Sequence, residues 1–161
     1  MSETATAQAL LIVALQDLLE GERAWLQRLP ELQPKAPASI RTFMAGEIER
    51  SRTQAERLEA LLRLMPPDDE TMPNLWLCAI LDDAARDSET IADGPLRAIA
   101  MVGAFRKGKQ AERVSYETAI GLAEILKLLD PVQTLTRSRD EEAAADAELA
   151  QLLKGLLIQL G

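Results

Sequence analysis

Leu11, Leu15, Leu18, Trp25 and Leu29 are spaced so that they share one face of a helix turning about 100° per residue. Glu22 interrupts that face where an apolar residue belongs. A second stripe runs Met44, Ile48, Ser51, Ala55, Leu58, Leu62, Met65, with Glu47 and Gln54 on its near edge. A third comprises Val102, Phe105, Lys109, Glu112, Tyr116, Ala119, Ala123 and Leu126. The fourth is Leu135, Ser138, Glu142, Ala145, Leu149, Leu152 and Leu156, with Asp146 one turn beyond Glu142. No stretch shows the period of two that marks a strand, and no solenoid repeat is present.

Prolines and glycines set the boundaries. Helix α1 is predicted over 4–29, stopped by Pro30 and the Pro34 and Pro37 that follow. Helix α2 covers 38–65, ended by Pro66, Pro67 and the polar stretch DDETMPN. Asn74 caps a short α3 over 75–87, and α4 runs over 95–129 after Asp93 and Gly94. Helix α5 opens with Asp130 as cap and Pro131 at its first position, and continues almost to Gly161. The short α1–α2 and α4–α5 connections predict two antiparallel hairpins, and the long α2-to-α4 connection spans the bundle and carries α3. This is an all-α fold, a ferritin-like four-helix bundle in one domain over 1–161; an up-down-up-down bundle with an inserted helix is the alternative.

In antiparallel helices, mid-helix positions meet at one level. Glu22, Glu47, Glu112 and Glu142 with Asp146 all lie near their helix middles, while Glu49, Asp140 and Glu141 project away. The pattern predicts a polar layer inside an apolar bundle. Buried carboxylates are costly and repel one another, so the layer requires metal ions, protons or a basic side chain. Lys109, one turn before Glu112, brings a fixed positive charge.

Composition narrows the chemistry. The 161 residues are 47% hydrophobic and only 3% aromatic, as in packed helices, and the net charge of −8 argues against a nucleic-acid partner. The one basic cluster, Arg106, Lys107 and Lys109, is short and reads as a solvated helix face. The absence of histidine excludes Ser-His and Cys-His catalysis and histidine-ligated metals. Cys78 reads as a small buried hydrophobe. The start MSETATAQ lacks secretory features, and Leu10 to Leu15 is too short to span a bilayer. A cytoplasmic location without membrane contact is expected.

Several segments together resemble one family: LLEGERAWLQRLPEL in α1, QAERLEALL in α2, CAILDDA in α3, DGPLRAIAMVGAFRKGKQAE leading to Tyr116 in α4, and RDEEAAADAEL in α5. Over roughly residues 10 to 155 the chain resembles the YciE/YciF group of bacterial ferritin-like proteins. The resemblance implies a ferritin-like bundle, a homodimer and a link with stress responses, without an established activity. It places inward polar residues at Glu22, Glu47, Ser51, Gln54, Glu112, Glu142 and Asp146. Two departures stand out: the family's Glu-His-Tyr-Glu stretch is Lys109, Gln110, Ala111, Glu112 here, and its first α2 histidine is Glu47.

Two function classes follow. In one, Glu22, Glu47, Glu112, Glu142 and Asp146, with Gln54, Lys109 and Tyr116 adjoining, hold a divalent cation. All-oxygen ligation suits Mn²⁺, Mg²⁺ or Ca²⁺, and the resemblance adds Fe. In the other, the protein is metal-free and Lys109 closes the layer, which the missing histidines favour. A hydrolase using paired carboxylates has no support beyond their presence. Trp25 and Trp76 read as core or interface anchors, and Tyr116 as a packed ring within reach of a layer carboxylate. Leu152, Leu153, Leu156, Leu157, Ile158 and Leu160 make the end of α5 apolar on more than one face, which points to a partner chain.

Overall fold

The computed structural model describes residues 3–67 and 71–161. Asp68, Asp69 and Glu70, read above as part of the α2 terminator, lie outside the described residues, as do Met1 and Ser2. The elements are α1 Ala7–Leu32, a 3-10 turn Gln33–Lys35, α2 Ala38–Leu64, α3 Leu75–Thr90, α4 Pro95–Ile125 and α5 Leu129–Leu160. None of these helices is long and apolar enough to cross a membrane.

Pro30 lies inside α1 instead of ending it. A proline in a helix interior costs about 3 kcal/mol. The added residues bury Leu32, worth about 1.5–3 kcal/mol and so of the size of that cost, and the helix runs on to the turn that holds Pro34. At the other end the Thr6 hydroxyl accepts the Ala9 amide at 3.1 Å. Helix α4 stops before 129 because Lys127 adopts a left-handed φ of 56°. The Leu128 and Lys127 amides then donate to Ala123 and Glu124 carbonyls at 3.0 Å each, closing a Schellman turn. That turn leads straight into α5, so Asp130 sits in the first helical turn and is not its cap. Pro131 falls where backbone amides lack helical acceptors anyway.

Helix α1 packs along α2 and α4 along α5; between the hairpins, α1 faces α4 and α2 faces α5. These neighbours are those of the ferritin-like bundle, since an up-down-up-down chain would place α2 beside α4 and α5 beside α1. Helix α3 lies on α4 and α1. Its cap residue fastens it: Asn74 Oδ1 accepts the Leu77 amide at 2.8 Å, and Asn74 Nδ2 donates to the Asp17 carbonyl at 3.0 Å. Trp76 Nε1 also donates to Asp17 Oδ2, at 3.2 Å.

The apolar interior is in two parts. One gathers Trp25, Leu29, Phe43, Met44, Phe105 and Leu149; the other gathers Leu11, Leu15, Leu58, Tyr116 and Leu135. Along each of the four long helices the polar residues fall between these sets. Gly108 allows Trp25 to lie against α4, for a Cβ there would sit 2.7 Å from the indole.

Candidate functional site

Each long helix presents its polar break to the bundle axis. Glu22, Glu47, Lys109, Glu112 and Glu142 are 0–1% exposed. The buried face of α2 includes Glu47, Ser51, Gln54, Leu58 and Leu61, with Ile48 and Leu62 only half-buried. It is therefore turned about one residue from the predicted stripe, and Glu47 and Gln54 lie within it instead of at its edge.

At the centre stands the Lys109 ammonium, within 2.7 Å of Glu112 Oε2 and of Glu142 Oε2 and in contact with Glu47 Oε1. Its fourth neighbour is the Trp25 ring, with Nζ 4.6 Å from the centroid. Lys109 is thus buried, not part of a solvated face. Trp25 Nε1 donates to Glu112 Oε1 at 2.8 Å, and the Tyr116 hydroxyl donates to Glu22 Oε1 at 3.1 Å. Ser51 Oγ lies 3.4 Å from Glu47 Oε1, and Arg50 pairs with Glu47 Oε2 from the rim. Among the described residues, Gln54 Oε1 and two carboxylate oxygens outside the Lys109 ion pairs, Glu22 Oε2 and Glu142 Oε1, are buried and accept no hydrogen bond.

Four carboxyl groups face two cations, Lys109 and Arg50, so two negative charges need protons. Burial raises Glu22 well above the usual carboxylate range; Glu142 and Glu47 add to the shift, and Lys109 and Ser51 oppose it. Burial and then Glu142 likewise raise Glu112, against the pull of Lys109. Both shifts run in the direction that retaining protons in the layer requires. Burial alone would lower the Lys109 pKa, but Glu112, Glu142 and Glu47 outweigh it and hold the ammonium charged. Burial, reinforced by Glu22, keeps the Tyr116 phenol neutral.

Asp146 stands apart from this cluster. Arg106 contacts its two oxygens at 2.7 and 3.2 Å and Gln110 donates at 2.6 Å, so the Arg106 hydrogen bond holds the carboxyl below its usual range. Gln54 turns away from the ammonium and donates to Glu141 Oε2 at 3.1 Å. Glu141, expected to project outward, is bound by Arg57 through two hydrogen bonds of 2.7 and 2.9 Å. Cys78 is half-buried rather than buried. Arg50 and the indole nitrogen of Trp25 were not legible as layer residues; Arg50 stands three positions after Glu47, the spacing that brings helical side chains together, whereas Trp25 meets Glu112 across two helices, which no local spacing signals.

Oxygens of Glu47, Glu112 and Glu142 lie within 4.8 Å of one another, close enough to share one ion. The side chains do not fit a histidine-containing two-metal centre. The chain has no histidine, and the point where the carboxylates converge is filled by an ammonium that three of them contact.

The solved structures place the fold. The crystal structure of the E. coli stress protein YciF is similar with a TM-score of 0.88 and 21% identity, over 94% of this chain and 97% of that one. YcfI from Rhodopseudomonas palustris is similar with a TM-score of 0.84 and 24% identity, over 92% of this chain and 95% of that one. No curated protein matches the sequence. The family described as "Domain of unknown function (DUF892)" matches residues 6–159, and the chain belongs to it.

Proposed function

We propose that this protein is a ferritin-like bundle with a structural, stress-associated role, in which the Lys109 ammonium takes the place of a metal ion in the carboxylate layer. The observation that carries this reading is the contact of Nζ with carboxylates from three helices, Glu47, Glu112 and Glu142. A charge in that position neutralises what a cation would otherwise neutralise. The similarity to YciF, named a stress protein, supports the association with stress. Full burial of the layer keeps substrates away from its carboxyl groups, which favours a binding or structural role over a catalytic one.

The second reading is a divalent metal, Fe or Mn, held by Glu22, Glu47, Glu112 and Glu142. It is favoured by the two carboxylate oxygens that lack partners, Glu22 Oε2 and Glu142 Oε1. Elemental analysis of protein purified without chelator separates the two. The lysine-closed reading expects less than about a tenth of an equivalent of any transition metal and no thermal shift with Mn²⁺ or Fe²⁺. Stoichiometric metal would overturn it.

The remaining features belong to the same proposal. The protein is cytoplasmic and forms a homodimer through the end of α5, where Leu157 and Ile158 are exposed beside half-buried Leu153. Light scattering is expected to give twice the chain mass, and a monomer would refute the dimer.

A further inference from the structure

We infer that Lys109 masks a site for a single hard divalent cation, formed by Glu47, Glu112 and Glu142, which the fold holds in place without the lysine. The inference rests on the lysine-closed reading above and adds that the carboxylate cage is competent once the ammonium is removed. Two of the three carboxylates have anchors independent of Lys109. Glu47 is held by Arg50 and Ser51, and Glu112 by the Trp25 indole at 2.8 Å. Glu142 is fully buried, turns Oε2 toward Nζ at 2.7 Å, and its Oε1 accepts no hydrogen bond. It is therefore a buried carboxylate with capacity to spare, aimed at the point of convergence.

The donors are all oxygens, on three different helices and within 4.8 Å of one another. Such a set selects Mn²⁺, Mg²⁺ or Ca²⁺ over the softer ions that favour nitrogen and sulfur ligands. An ammonium and a divalent cation occupy the same point, so they exclude each other. Trimming Lys109 to alanine removes the charge and the alkyl stem, leaving room for an ion and waters to complete its coordination.

The indole of Trp25 gives the test its readout, because it lies 4.6 Å from Nζ and can pass excitation to a lanthanide bound there. Tb³⁺, a hard oxygen-seeking probe, is titrated into wild type, Lys109→Ala, Lys109→Met and Lys109→Ala with Glu47→Gln. Sensitised emission is expected from Lys109→Ala alone, saturating at one equivalent with a micromolar Kd and suppressed by excess Mn²⁺. In Lys109→Met the stem still fills the space, so that variant stays dark. Emission that survives Glu47→Gln, or a dark but folded Lys109→Ala, overturns the masked site and leaves the lysine-closed reading intact. Emission from wild type overturns the lysine-closed reading itself. If Lys109→Ala is unfolded without metal, Mn²⁺ is expected to restore its helical circular dichroism, and failure to do so also overturns the inference.

Discussion

Burial, with another carboxylate beside each, raises Glu22 and Glu112 well above the usual carboxylate range. Their raised pKa values have a definite consequence for stability. The contribution of each retained proton is fully present below the ordinary carboxylate value of 4.5 and is lost as pH rises through the higher folded-state value. Glu22 is the cleaner probe, since its Oε1 accepts from Tyr116 while Oε2 accepts nothing. Glu22→Gln keeps that acceptor and imitates the protonated acid. The variant is expected to match wild type near about pH 5 and to exceed it by about 1–3 kcal/mol near about pH 8, measured by urea denaturation. A wild-type advantage that grows with pH would contradict protonation of Glu22. The sequence marked the four glutamates and the lysine because each broke a periodic apolar stripe. Asp146 could not be separated from them by spacing, since what removes it is a bidentate arginine on another helix.

At the scale of the helices, long stripes were legible and their ends less so. Asn74 was readable as a cap because its side-chain oxygen reaches the Leu77 amide within three residues. The end of α1 follows a tertiary demand that no local rule contains. Leu32, beyond Pro30, reaches the core, and its burial carries the helix through the proline. The end of α4 was missed for a different reason, because its left-handed residue is a lysine where a glycine is the usual signal. The arrangement of the hairpins depended less on such ends. A connection of some thirty residues from α2 to α4, against turns of a few residues elsewhere, already favoured the long crossover. The contacts of α1 with α4 and of α2 with α5 then decide between the two bundle topologies.

Across the whole molecule, the charged layer divides two apolar halves that would pack more cheaply as one. Buried ion clusters are often no more stable than well-packed apolar residues of similar volume, by margins of about 1–4 kcal/mol in favour of the apolar set. What the layer adds is register. Sliding any long helix by one turn, about 5.4 Å, would push its glutamate into an apolar half and take a leucine or methionine out of it. Every such slip leaves a carboxylate without its cation or its hydrogen bonds, whereas a wholly apolar interior tolerates several slips at little cost. Replacing Glu22, Glu47, Lys109, Glu112 and Glu142 together with leucine and methionine tests this. The substituted protein is expected to melt at a higher temperature, yet with a calorimetric enthalpy that exceeds the van 't Hoff value and with binding of a hydrophobic dye, as alternative packings are populated. A transition as cooperative as that of the wild type, without dye binding, would mean that the two apolar halves alone fix the alignment of the helices. The buried charges would then owe their place to chemistry at the site rather than to the fold.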